Sequence, residues 1–517
     1  NNPSSIDAHA FTAQAYFLPK KDGKVRPIVL QECLTKILHK CINTRILKAI
    51  RTTMPPSQYC INNKNGTCAA ALHIQRSISE KKFKFFASID FSNAFNSLTR
   101  DIIIKNLEKL EIGKGYITYI VNYLNKFKIK YGDKVIRNGR GVPQGCPLSM
   151  TLFSIGTSHI LEKLESDGID VSAYADDIVI GAETEEKLLK ALHDLEDMAS
   201  QIGLTLNKEK TQLYTSEQNY SGQFKSLWET TWTYLGIPIS QSRERVKQAF
   251  ANFINDVAED AKLAWNAPSL EQGYFINRLC VNSRIVHISR GTNLDESDEP
   301  FLERQQQKID NQLPELMKKV EKIYRILPVA DGGLGLTDLT IVAKAARNAL
   351  LIETNSRAPT EEEAEIMRRH LEKSKKEGRW QQLFTKAYRD AILEEHTHEM
   401  VPQGKRRPAP LVGSFADSIW LAQYPRNPSQ TLSDLAFSIA IQLRYNIDPL
   451  ETCNLKCPFC GEKISLRHCL VCMKANTGPI VTRHNTITRI IGCALASRGT
   501  VAQYEKKPVN HKDVPHI

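Results

Sequence analysis

An α+β fold is expected for this chain of 517 residues, on three observations. Between Ala10 and about Ile239, short apolar runs of strand-forming residues alternate with segments whose apolar positions recur at helical spacing. From about Gln241 to Leu450 the helical pattern dominates. Five cysteines then crowd into CNLKCPFCGEKISLRHCLVC, which suits a small metal-bound module.

In chain order, AYFLP and RPIVL read as strands flanking the basic turn KKDGK, and TKILHKCINTRILKAI as a helix. FFASIDF is an apolar strand run ending at Asp90 and passing into a helix-like segment. VSAYADDIVIG reads as a hairpin whose tip carries Asp176 and Asp177. EEKLLKALHDLEDMASQIG is helical and stops at Gly203, and TYLGIPI closes the mixed half as a strand. The helical half is interrupted by LPVADGGLGL and by the basic, Pro-rich VPQGKRRPAPLVG, a linker or exposed loop. There is no low-complexity tract and no internal repeat with a period of about 20 to 50 residues.

Hydrophobic residues make up 41% and charged residues 24%, the balance of a globular protein rather than a disordered one. No apolar run approaches the roughly 20 residues that span a bilayer, and the opening NNPSSIDAHAFTAQAY lacks a signal pattern. Membrane and secretory classes are therefore excluded. Lys and Arg total 69 against 57 Asp and Glu, and the net charge of +12 with clusters such as KKFK and GKRRP suits a polyanionic partner. The same charges also suit a plain solvated surface. Cys33, Cys41, Cys60, Cys68, Cys146, Cys280 and Cys493 are scattered singly, as buried thiols in a reducing compartment are. The chain opens on Asn1 and closes on HKDVPHI, so a segment of a longer polypeptide is expected.

Two adjacent carboxylates at a hairpin tip repel each other and resist joint ionisation unless a cation compensates them. A hard divalent ion such as magnesium takes oxygen ligands and leaves positions open for phosphate. Asp90, on a neighbouring strand, supplies the further carboxylate. Asp90 and Asp176 are thus placed to bridge two magnesium ions about 3.5–4 Å apart, which activate an attacking 3′-hydroxyl and steady a leaving pyrophosphate. An Asp pair in a turn is otherwise an ordinary surface feature.

Six blocks follow one another: FLPKKDGKVRPIVL, IDFSNAF, GRGVPQGCPLSMTLFSI, AYADDIVI, GLTLNKEKT and YLGIPI. Over roughly Ala10 to Ile239 they resemble the palm blocks of the reverse transcriptases, in that family's order. The resemblance implies a right-hand polymerase with fingers and palm over 1–240, thumb over 241–340 and a helical linker over 341–452. It implies an RNA-directed DNA polymerase, a nucleotidyltransferase whose partners are an RNA template, a DNA primer and deoxynucleoside triphosphates. Asp90 and Asp176 match its metal-binding carboxylates and Asp177 its third acid, with the Phe91 carbonyl contributing to a metal. Lys20 and Arg26 match triphosphate contacts, where cations neutralise charge that shifts during phosphoryl transfer. Phe95 matches the ring under the sugar that excludes a 2′-hydroxyl. Gln144 matches a nucleotide contact, and Gly145 a site of close backbone approach to the templating pair. Lys210 matches the candidate acid for pyrophosphate, and Tyr234, Leu235 and Gly236 the primer grip. The residues alone also allow an exposed basic hairpin, a core Phe, a turn and a solvated Lys at these places.

GVPQGCPLS and LPVADGGLGL resemble the non-long-terminal-repeat retrotransposons more than retroviral enzymes. Within the cysteine cluster, Cys457, Cys460, His468 and Cys472 have spacing suited to one tetrahedral, structural zinc, a knuckle over 453–475, with Cys453 and Cys469 as alternative ligands. The knuckle followed by TRHN resembles elements with a C-terminal restriction-like endonuclease, which insert by target-primed reverse transcription in the nucleus. Over 476–517 only the start of that nuclease is expected, so the segment alone would not cut DNA. Two other readings fit the same residues: a decayed nucleic-acid-binding scaffold, and an intron maturase that aids splicing.

Overall fold

The computed structural model describes residues 11–374 apart from 20–22, 24, 64, 111 and 138, together with 380–400, 421, 431–445, 447, 456 and 460–463. Two units result. The first takes in the chain up to Phe250 with Arg290–Asn293 and Leu350–Arg357; the second takes in Ala251–Ser289, Leu294–Ala349 and the chain from Ala358 onward.

The strands of the first unit are β1 (Thr12–Pro19), β2 (Val25–Gln31), β3 (Phe85–Ile89), β4 (Lys128–Tyr131), β5 (Lys134–Arg137), β6 (Asp170–Tyr174), β7 (Asp177–Ala182), β8 (Gln212–Thr215), β9 (Lys225–Ser226), β10 (Trp232–Tyr234) and β11 (Ile237–Ile239). Its helices include α1 (Cys33–Ile50), α2 (Tyr59–Asn62), α3 (Gly66–Ser79), α4 (Ala94–Ser97), α5 (Arg100–Glu108), α6 (Lys114–Lys126), α7 (Ser149–Ser166) and α8 (Glu185–Gln201). A central sheet runs β6-β7-β3-β8-β9 and a second sheet runs β2-β1-β4-β5.

The unbroken apolar runs of β3 and β7 are explained by burial on both faces of the central sheet. Phe85, Ala87 and Ile89 with Ile178, Ile180 and Ala182 join a core that also holds Leu107, Phe153, Leu161 and Leu195 of the helices. Phe86 and Val179, one residue out of phase, join the opposite layer with Tyr214, Trp232, Tyr234 and the Cys68–Leu72 stretch of α3. The two-residue period of a strand sorts the side chains between the layers. Helix α8 forms as its sequence predicts: the Thr184 hydroxyl accepts from the Lys187 amide at 3.3 Å, Glu185 and Glu186 occupy the first turn, and Gly203 beyond the end has φ +82°.

TYLGIPI, a strand candidate by its pattern and a strand turn by its resemblance to the primer grip, has the turn. It is a hairpin in which Tyr234 pairs with Ile237, leaving Leu235 (φ +50°) and Gly236 (φ +79°) as a two-residue turn. Such turns need positive φ at both central residues, which glycine adopts freely and leucine only under constraint.

The second unit is helical, with a core containing Tyr274, Phe275, Met317, Leu334, Phe437 and Ile441. LPVADGGLGL folds back on the short helix Lys322–Ile326, its Leu334 and Leu336 amides donating to the Tyr324 and Arg325 carbonyls at 2.8 and 2.9 Å. Among the described residues no helix is long and apolar enough to cross a membrane.

A buried arginine ties the first unit together. Arg100 donates from Nε to the Gly141 carbonyl at 3.0 Å, from Nη1 to Leu124 and from Nη2 to Arg140 at 3.4 Å. Three backbone acceptors thereby share one fixed guanidinium fork. Arg100→Met is expected to strand them and destabilise the unit by about 3 kcal/mol in denaturant titration, with Arg100→Lys recovering less than half of the loss.

Candidate active site

Asp90 follows the last ladder residue of β3, and its backbone is held from the β8 side. The Asn207 amide donates to its carbonyl at 2.8 Å, and its own amide donates to Thr211 Oγ1 at 3.4 Å. The next residue, Phe91, pairs across an antiparallel bridge with Leu206, flanked by the bond from the Ser92 amide to the Thr205 carbonyl at 2.9 Å. In that register the hydrogen bonds to 205–207 come from residues 90 and 92, so the Phe91 carbonyl points to the opposite edge, where β7 lies.

β7 brings the other two acids. Ile89 pairs with Ile178, so Asp90 emerges next to Asp177, and Tyr174 pairs with Asp177, so Ala175 and Asp176 form the hairpin turn. Ala175 is buried with φ +57°.

The electrostatics record the crowding. Burial pushes the Asp176 carboxyl above its ordinary range against a hydrogen bond from its own backbone, with the charge of Asp90 adding and that of Arg26 subtracting. Asp177, although more than a third exposed, is raised to about 6, by desolvation first, then Asp176 and Asp90, with Arg26 again opposing. Arg26 lies on β2 opposite Leu18. Its field therefore reaches both acids of the turn. Lys20 lies outside the described residues.

Three carboxylates with one distant cation form a donor set of the kind that binds a hard divalent ion. Among the described residues no three His, Cys, Asp or Glu side chains are gathered closely enough to enclose an ion as they stand. The acids are neighbours that repel, and the chemistry of the set fits magnesium with the Phe91 carbonyl as a fourth oxygen.

Phe95, Gln144 and Gly145 form a second group. Phe95 stacks on Phe153 of α7 with ring centroids 4.7 Å apart and planes inclined by 16°. Its carbonyl accepts from the Val142 amide at 2.7 Å, while the Gly141 amide donates to Leu98 at 2.9 Å. The Val29 amide of β2 donates to the Gln144 carbonyl at 2.8 Å. Gly145 has φ +110°, and a Cβ there would stand 2.5 Å from the Val29 carbonyl oxygen. The close approach that requires glycine here is to β2, a constraint within the fold itself.

Lys210 is exposed on the turn that ends in Thr211, the residue whose hydroxyl meets the Asp90 amide. Tyr234 is buried beneath the acids, its hydroxyl donating to the Ser172 carbonyl at 3.0 Å and lying 3.5 Å from that of Asp177. The Tyr234–Leu235–Gly236 hairpin is thus bolted to the strands that carry Asp176 and Asp177.

Sequence reasoning missed Gln58. It is fully buried, and its Oε1 accepts from the Ala175 amide at 3.0 Å. A cavity of about 560 Å³ lined by Arg51, Tyr59, His73 and Arg76 belongs to the same unit, but none of the three acids lines it.

Of the proposed zinc ligands, Cys457, His468 and Cys472 lie outside the described residues, as do Cys453, Cys469 and the segment 476–517. Cys460 is half-buried in a turn closed by an antiparallel bridge between Lys456 and Lys463, with Gly461 at φ +76°.

Residues 18–239 match the family model described as reverse transcriptase (RNA-dependent DNA polymerase). The chain is 29% identical over 266 residues to the Retrovirus-related Pol polyprotein from type-2 retrotransposable element R2DM of Drosophila melanogaster, covering 44% of this chain and 25% of that one. It is 24% identical over 360 residues to the Retrotransposable element SLACS 132 kDa protein of Trypanosoma brucei gambiense, covering 64% and 28%. The chain therefore spans about a quarter of the length of these relatives. Among solved structures, apo telomerase from Candida Tropicalis aligns with a TM-score of 0.42 at 12% identity, over 73% of this chain and 69% of that one.

The raised pKa of Asp177 makes a signed prediction. Its folded value of about 6 lies above the ordinary 3.8, so the folded state holds a proton that the unfolded state has lost between those values. In the absence of divalent ions, this site's contribution to stability should be full below about 4 and decline as pH rises through about 6. Asp177→Asn should remove that decline and melt above the wild type at pH 7. Thermal melts of both proteins in chelator across pH 4–8 measure the difference.

Proposed function

Residues 18–239 of this chain belong to the reverse transcriptase family, and from that premise we propose that the protein copies retrotransposon RNA into DNA from the 3′-end of a nicked DNA target. The observation that carries this reading is the strand register that sets Asp90, Asp176 and Asp177 at neighbouring positions on the edge between β3 and β7. A scaffold that merely binds nucleic acid has no use for three mutually repelling carboxylates at one turn.

In the proposed reaction the primer 3′-oxygen forms a bond to the α-phosphorus, the α–β phosphoanhydride bond breaks, and pyrophosphate leaves. Asp90, Asp176, Asp177 and the Phe91 carbonyl would hold two magnesium ions, which would supply positive charge to the triphosphate and favour the alkoxide form of the primer hydroxyl. Arg26, together with Lys20, balances charge that moves onto the leaving group. The Phe95 ring, stiffened by Phe153, closes the space that a 2′-hydroxyl would need. Gln144 contacts the nucleotide from a loop pinned to β2, the Tyr234–Gly236 hairpin supports the primer end, and Lys210 donates the proton to pyrophosphate.

The helices of the second unit serve as thumb and linker and meet template and primer through sugar and phosphate. Cys457, Cys460, His468 and Cys472 would hold one structural zinc. The bridge of Lys456 with Lys463 around Cys460 supports this, because a knuckle needs the chain to reverse at its first ligand pair. The site of action is the nucleus, where the DNA target lies.

Primer extension on an RNA template with magnesium tests the reading. The wild type should extend, Asp176→Ala should lower the rate by more than about a thousandfold, and Phe95→Ala should raise ribonucleotide incorporation by at least about tenfold. Undiminished synthesis by Asp176→Ala would remove the acids from the mechanism.

A further inference from the structure

The turn that carries Asp176 is held from outside its own hairpin. Ala175 combines a buried position with φ +57°, a conformation that an alanine adopts only when its surroundings impose it. Its amide, located in the turn and shut away from water, needs an acceptor. That acceptor is Gln58 Oε1 at 3.0 Å.

Gln58 comes from the segment before α2, which lies along the edge strand β6. Gln58 bridges to Ala173 in parallel, and the Ala173 amide donates to the Ser57 carbonyl at 2.9 Å. Gln58 is the N-cap residue of α2, yet its side chain makes no cap hydrogen bond and reaches the turn instead. It is fully buried, and its Nε2 has no acceptor among the described residues. An amide buried at that cost, with one end on the turn, is placed for geometry rather than for stability.

We propose that Gln58 is the positioning residue of the Asp176–Asp177 turn: by holding the Ala175 amide it selects the left-handed backbone that aims Asp176 at Asp90. The hydrogen bond fixes the peptide plane between Tyr174 and Ala175, and the φ of Ala175 turns about the next bond. If that plane is released, Ala175 relaxes to negative φ and Asp176 swings away from β3. Divalent-ion affinity and the chemical step both weaken, while primer–template binding, which uses other surfaces, does not. This inference rests on the polymerase reading only for its catalytic consequence.

The test compares full-length wild type, Gln58→Leu, Ala175→Gly and the double variant. Mn²⁺ binding is measured by calorimetry without nucleotide, and kcat and KM by primer extension. Gln58→Leu should bind Mn²⁺ about tenfold more weakly and lose about ten- to a hundredfold in kcat, with KM for primer–template unchanged. Ala175→Gly alone should stay near wild type, because glycine takes positive φ freely, and in the double variant it should restore most of the Mn²⁺ affinity. Wild-type Mn²⁺ affinity in Gln58→Leu would overturn the proposal, and so would a loss that glycine at 175 does not repair. Melting curves show which variants fold; if Gln58→Leu does not, Gln58→Asn, whose acceptor falls one methylene short, replaces it with the same two outcomes. If the wild type itself fails to extend a primer, the polymerase reading falls, and the Mn²⁺ comparison still decides the role of Gln58.

Discussion

Mutual repulsion among Asp90, Asp176 and Asp177 is the constraint around which the first unit is built. Like charges at one edge drift apart unless the backbone prevents it. Here β3 and β7 lock the acids into adjacent register, Asn207 and Thr211 brace Asp90 from the β8 side, and the Tyr234 hydroxyl reaches the strands beneath the turn. The raised carboxyl of Asp177 reflects its desolvation first, and the charges of Asp176 and Asp90 add to it. Stability given up at this edge is recovered by burying the sheet on both faces, where Phe86 and Val179 enter one layer and Phe85 and Ile178 the other.

A second layer of control lies in the loop from Arg140 to Leu148. Arg100 gathers the carbonyls at its entry, the Val142 amide joins it to the Phe95 carbonyl, and the Val29 amide pins the Gln144 carbonyl to β2. The loop is therefore tied at one point to the sheet of β1 and β2 and at another to the backbone of Phe95.

The parts legible in the sequence are those whose signals are local. The hairpin at Asp176 and Asp177, the strand ending at Asp90 and the helix that stops at Gly203 each follow from a local pattern, and the structure has all three. Gln58 was not legible because its partner is 117 positions away and PPSQYC has no periodicity to mark it. Arg100 likewise reads as a solvated cation at the start of a helix, and only the return of residues 124 and 140–141 buries it. The strand turn of TYLGIPI follows from its resemblance to the primer grip, whereas alternation alone does not reveal that Leu235 accepts positive φ. Gly145 was identified as special, yet the contact that demands glycine lies more than a hundred residues earlier, at Val29.

The shared carboxylate site can be tested through the protons it must give up. Calorimetric titration of the metal-free protein with Mn²⁺ at pH 6, in two buffers of different ionisation enthalpy, measures proton release on binding. Because desolvation and the neighbouring carboxylates raise Asp177 to about 6 and raise Asp176 as well, binding should release protons at pH 6 and almost none at pH 8. Binding with no proton release at pH 6, or no binding at either pH, would contradict a site in which these acids share a cation.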